Sequence, residues 1–135
     1  MELESPALRL CMEGVTAEQQ ARHEDARALF KNAWRAASTD SEACIAAHYI
    51  AQLQDDAMQA LWWYQIALAR ADRTDCGRVR ELYSSLHVNI ATVYERLGQL
   101  YAARHHYQRA AATLDAVRDP EQRAFVERGL ERGVA

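Results

Sequence analysis

Four groups of side chains have the type and spacing to do chemistry: the adjacent histidines His105 and His106, the thiols Cys11, Cys44 and Cys76, the adjacent carboxylates Asp55 and Asp56, and the indoles Trp62 and Trp63. Imidazoles ligate transition metals, but consecutive helical residues diverge by about 100°, so His105 and His106 cannot hold one ion together and no metal is expected. The cysteines are odd in number and lack the C-x-x-C spacing of a zinc or redox site, which predicts reduced, structural thiols. Asp55 and Asp56 read as a helix cap in a turn. No nucleophile stands beside a base and no glycine loop could cradle a phosphate, so neither an enzyme nor a cofactor is expected. Two adjacent Trp on one helix cannot both enter one packing seam. At least one of Trp62 and Trp63 therefore belongs near the outer surface, where it would serve self-association as a homodimer.

The elements that position these groups are helices. Twenty-six alanines, against Gly 5 and Pro 2, combine the best helix former with few breakers, and 50% hydrophobic with 26% charged residues marks a folding chain. Its 135 residues fit a single all-α domain. Residues 1–67 carry five basic and ten acidic side chains, and residues 68–135 carry eleven and nine. Neither half has the dense positive charge that a phosphate backbone demands, so nucleic acid is not an expected partner. The start, Met-Glu-Leu-Glu, is acidic where a secretion signal is basic, and the most hydrophobic stretch, Ala57 to Ala69, is interrupted by Gln59 and Gln65. It falls short of the roughly 20 apolar residues of a membrane span, and a cytoplasmic chain with no membrane partner is predicted.

One pattern recurs three times. Ala26, Phe30 and Ala33 match Ala60, Tyr64 and Ala67, and these match Ala103, Tyr107 and Ala110, each triplet spaced i, i+4, i+7 on one helical face. Upstream of each lies a second amphipathic stretch: Leu8, Cys11, Met12 and Val15; Ile45, Ala46, Tyr49, Ile50 and Leu53; Leu86, Ile90, Val93, Tyr94 and Leu97. Each copy thus predicts helix, turn, helix. Ser5 before Pro6, Thr39 with Glu42, Asp55 or Asp56, Thr74 or Asp75, and Asp119 before Pro120 supply the caps, and Gly98 the turn from the fifth helix to the sixth. Nine extra residues between the second and third copies, within 71–86, lengthen the helices by about two turns. A seventh helix runs from Pro120 to Gly133.

The third copy, through Asn89, Ile90, Ala91, Tyr94, Leu97, Gly98, Leu100, Ala103, Tyr107 and Ala110, resembles a tetratricopeptide repeat. The first is similar through Gly14, Ala17, Ala26, Phe30 and Ala33, and the second through Ala47, Ile50, Ala60, Tyr64 and Ala67, both without the turn glycine. The second turn also reads one residue longer, around Gln54 to Asp56. The resemblance implies a right-handed superhelix of repeats at about 7–37, 40–71 and 75–117, closed by a capping helix at about 120–133 that shields the last apolar face.

The resemblance further implies a non-enzymatic adaptor that binds a protein or peptide in a concave groove lined by the first helix of each pair. Projected onto this chain, the groove residues are Cys11, Val15 and Gln19; His48 and Gln52; and Val88, Asn89, Thr92, Glu95 and Arg96. Cys11 and Cys44 occupy matched positions and would both face the groove as inert thiols. Family members that grip a terminal carboxylate do so with several Lys, Arg and Asn side chains. Here the corresponding positions hold Cys11, Val15, Ile45 and Ser85, leaving Asn89 alone, so a carboxylate clamp is not expected. Two other readings stand beside the adaptor: a regulatory sensor of a peptide or small ligand, and a structural homo-oligomer built through Trp62 and Trp63.

Overall fold

In the computed structural model, which describes residues 5–133, the chain folds into seven helices: α1 (Pro6–Gln19), α2 (His23–Ala36), α3 (Asp40–Gln52), α4 (Ala57–Ala71), α5 (Gly77–Arg96), α6 (Leu100–Ala112) and α7 (Pro120–Gly133). A single 3-10 turn, Leu114–Ala116, precedes α7, and there is no strand among the described residues. The caps fall where side-chain chemistry puts them. The hydroxyls of Ser5 and Thr39 accept from the N–H groups of Leu8 (3.2 Å) and Glu42 (3.1 Å), and the carboxylates of Asp56 and Asp119 accept from Gln59 (3.0 Å) and Gln122 (3.1 Å). Glu42 completes its box one residue early, accepting from the Ser38 N–H at 2.8 Å. α5 opens later than Thr74 or Asp75: its cap position is Cys76, whose N–H donates to Thr74 Oγ1 at 3.3 Å.

Helices pair in chain order. α1 packs on α2, α3 on α4 and α5 on α6, and each pair meets the next through α2 with α3 and α4 with α5. All nine residues of the three Ala-aromatic-Ala triplets are buried at these seams. In α1 the buried stripe is Ala7, Cys11, Gly14 and Ala17, so small residues let α2 approach, and Met12, expected inside, is 53% exposed. Gly14 is where the Phe30 ring lies flush against the α1 backbone, leaving no room for a methyl.

The first and third pairs reverse through one backbone device. At Gly98 (φ 77°) and at Ala21 (φ 61°) the chain enters the left-handed region, and the next N–H closes a six-residue loop: Gln99 to the Tyr94 carbonyl and Arg22 to the Ala17 carbonyl, both at 2.8 Å. The missing glycine of the first turn therefore did not change its geometry; an alanine carries the strain. The second turn, Leu53 to Asp56, is one residue longer and uses no positive φ.

The extra residues between the second and third pairs lengthen α5, at 20 residues the longest helix described. It touches α3, α4, α6 and α7, which is why ten of its residues are buried, including Ser84, Ser85 and His87. α7 lies against α5 and α6, burying Val126 and Gly129. Its start is pinned by Glu81 of α5, whose carboxylate accepts from the N–H groups of Arg118 and Asp119, both at 2.9 Å.

Candidate functional site

α1, α3 and α5 are neighbours in turn and α7 adjoins α5, so the odd-numbered helices share one face. Two recesses open on it. One, about 180 Å³, is walled by residues from all four odd helices, among them Leu8 and Cys11, Ile45 and His48, Arg78 and Leu82, and Gln122. The other, about 190 Å³, lies near the C-terminal ends of α1 and α3 between Val15, Glu18, Gln19, Tyr49, Gln52 and Leu53, with Phe30 also in its wall. A larger hollow of about 620 Å³ lies against the first pair alone, between Met12, Thr16, Arg22, Ala28 and Leu29.

The projected groove residues divide into three sets. Cys11 and His48 come together in the first recess and Val15, Gln19 and Gln52 in the second. Of the α5 set only Glu95 and Arg96 are exposed. Val88 is 1% exposed and covered by α7, since a Cβ at Gly129 would fall 2.6 Å from its Cγ1. Thr92 and Glu95 both meet the Tyr107 hydroxyl, which lies 3.5 Å from Thr92 Oγ1 and donates to Glu95 at 2.7 Å, while Thr92 donates to the Val88 carbonyl at 3.0 Å. Asn89 is half-buried with its Nδ2 buried and unpartnered, whereas Arg96 is exposed.

Electrostatics make the first recess neutral at its centre. His48 is 5% exposed, tilted against the rings of Tyr49 (5.0 Å) and Tyr64 (6.3 Å), and its Nδ1 is buried without a hydrogen-bond partner. Burial pushes its pKa down to about 4, so the imidazole is uncharged at neutral pH. The Cys11 thiol is pushed up to about 11, by burial first and then by the charge of Glu42. Cys44 does not face this recess as expected. It is fully buried in the core cluster with Leu61 and Leu86, and burial pushes its thiol up to about 12.

Other groups lie away from that face. Trp62 is 56% exposed while Trp63 is half-buried in a T-shaped contact with Trp34 at 5.3 Å, so the two indoles differ in exposure although their rings also meet edge to face at 5.1 Å. Arg70 lies over the Trp34 ring at 5.5 Å and pairs with Asp40 at 3.2 Å. His105 is exposed and His106 turns inward to His87, with the two Nδ1 atoms 2.9 Å apart. Ring centroids 5.1 Å apart with planes inclined by 26° make this a head-on N–H···N bond between two neutral rings. Burial first, then the positive charge of His106, Arg109 and His105, holds His87 down to about 3, and burial followed by His105 and Arg109 holds His106 down to about 4.

Sequence reasoning missed His87 and read Cys76 only as a structural thiol. His87 sits inside the apolar run Leu86 to Val88, and the available signal was that His106 matches Trp63, a half-buried position in the preceding pair. Cys76 sits at the entrance to α5. The Ser41 hydroxyl, opposed by partial burial and joined by the N–H groups of Arg78 and Val79, holds its thiol below the ordinary range. Among the described residues no group of three or more His, Cys, Asp or Glu is gathered as a metal site, and no helix is long and apolar enough to cross a membrane. No family model matches the chain, and neither a curated protein nor a solved structure matches it significantly.

Proposed function

We propose that this chain is a tetratricopeptide-like module, a right-handed superhelix of three helix pairs and a cap, that binds a protein or peptide segment without chemistry. The odd-numbered helices form the groove. The observation that carries this reading is the paired recesses on one face, the first walled by α1, α3, α5 and α7 together, the second by α1, α2 and α3. Their volumes of about 180 and 190 Å³ each suit one large side chain and are below the range of drug-sized ligand sites, about 300–1,000 Å³. Within the groove, that size favours anchoring side chains of an extended or helical segment over a small ligand; the hollow of about 620 Å³ lies outside it, against the first pair. Apolar walls supply area, and the exposed Gln19, Gln52 and Arg96 at the C-terminal ends of α1, α3 and α5 supply orientation.

The test is affinity capture from native extract with mass spectrometry, comparing the native chain with a Gln19→Ala, Gln52→Ala, Arg96→Ala variant. These exposed positions leave the core intact. A protein enriched by the native chain and lost with the variant is the expected result. Identical or empty captures would remove the groove from the account.

A further inference from the structure

Five large hydrophobic side chains are exposed among the described residues, and four of them lie on α4 and α6: Met58 (58%), Trp62 (56%), Leu100 (67%) and Tyr101 (92%). They are not scattered. The register that matches Tyr64 with Tyr107 also matches Met58 with Tyr101, so equivalent positions of successive pairs turn large apolar groups outward, and neither lines a recess. The matching positions of α2, Glu24 and Ala28, are charged or small, which confines the patch to α4 and α6. Apolar groups concentrated this way on a folded surface mark an association site, with Trp and Tyr as its usual anchors.

Charge identifies the occupant. At the entrance to α4, Asp56 is taken up by its cap bond to Gln59, while Asp55 is 98% exposed with only a long 3.8 Å contact to Arg27; α6 contains no acidic residue and presents the exposed Arg104. Asp55 lies three residues before Met58, and Arg104 three residues after Tyr101. An antiparallel crossing that sets Met58 of one molecule on Tyr101 of another therefore brings Asp55 opposite Arg104. A two-fold axis makes the same pair of contacts twice, because α4 of each copy meets α6 of the other.

We infer that α4 and α6 form an isologous homodimer interface, with Met58, Trp62, Leu100 and Tyr101 at its centre and Asp55 against Arg104 at its rim. None of these four residues lines either recess, and the assignment does not depend on what the groove binds.

Sedimentation velocity of the full chain, from about 10 µM to about 500 µM, reads the association directly. The expected result is a shift from the 15.3 kDa monomer toward twice that mass. Trp62→Glu and Tyr101→Glu should each hold the monomer at every concentration while leaving the circular dichroism spectrum unchanged, since both side chains are exposed. Charge reversal makes the test specific to a second copy. Asp55→Arg and Arg104→Asp alone should each weaken the dimer by about tenfold or more, and an equimolar mixture of the two variants should associate as strongly as the native chain, because both rim contacts are restored in the mixed pair. A native chain monomeric throughout, a dimer indifferent to Trp62→Glu, or a mixture no tighter than either variant alone would each overturn the proposal.

Discussion

Acidification should destabilise this fold through His48, and the size of the effect follows from its environment. The imidazole is 5% exposed and burial holds its pKa at about 4, against an ordinary value of 6.5 that it regains on unfolding. The unfolded chain therefore takes up the proton at higher pH than the folded one. The neutral ring's contribution is fully present above pH 6.5 and is lost as pH falls through the window down to about 4. A difference of 2.5 pH units amounts to about 3 kcal/mol over the whole window, and about 2 kcal/mol of it is gone by pH 5. His87 and His106 act in the same direction, as a coupled pair held down by burial first. To isolate His48, urea unfolding followed by Trp fluorescence is compared at pH 7 and pH 5 for the native chain and a His48→Phe variant. Whatever the variant's absolute stability, it should lose about 2 kcal/mol less than the native chain between the two pH values. Equal losses would refute the reasoning, because they would show that His48 titrates alike in the folded and unfolded states.

Four further outcomes follow from local geometry. Ala21→Gly relieves a left-handed alanine in a turn that Gly98 already makes without strain, so it should stabilise the chain by about 0.5–1 kcal/mol, raising Tm by roughly 3 °C in a thermal melt. Gly98→Ala should lose a similar amount, since a Cβ there meets nothing within 4 Å and the penalty is all in the backbone. Gly14→Ala drives a methyl into the Phe30 ring, itself 2% exposed, and should lower stability by about 1–3 kcal/mol in urea unfolding; an unchanged midpoint would mean that the α1–α2 seam yields freely. At pH 7 iodoacetamide should alkylate Cys76 well before Cys11 and Cys44, whose thiols are pushed up to about 11 and 12, and peptide mapping that found Cys11 labelled first would contradict the arrangement at the start of α5.

How far the chain could be read from its residues depended on the range of the interaction. Helix caps are settled within four residues, and Ser5, Thr39, Asp56 and Asp119 each hydrogen-bond where their type and position require. The Ala-aromatic-Ala triplets were equally legible, because close approach of paired helices needs small side chains beside a large one at fixed spacing. What failed required knowing which helix covers which face. Val88 carries no mark that α7 will lie on it, and Thr92 and Glu95 look like free polar groups until Tyr107 reaches them across the α5–α6 seam. Cys44 shares its helix with His48 four residues on, yet its burial among Leu61 and Leu86 follows from the long α5 packed against α3 and α4. The sequence thus placed these side chains on their helices, whereas their exposure depended on packing between helices far apart in the chain.

The two proposed surfaces have a joint consequence, because they share no residue. The recesses are walled largely by the odd-numbered helices, while the exposed Met58, Trp62, Leu100 and Tyr101 lie on two even-numbered ones, so closing the dimer leaves the recesses uncovered. The particle would then carry two identical grooves related by a two-fold axis. For a partner that presents its segment twice, the second binding event becomes intramolecular, and avidity can exceed the single-site affinity by about 10²–10⁴ without any new contact. A groove built from two recesses of about 180 and 190 Å³ offers modest single-site area, so this multiplication is where a useful affinity would come from. Trp62 would then govern affinity for a repeated partner and leave affinity for an isolated segment untouched, which separates its role from that of every residue in the groove.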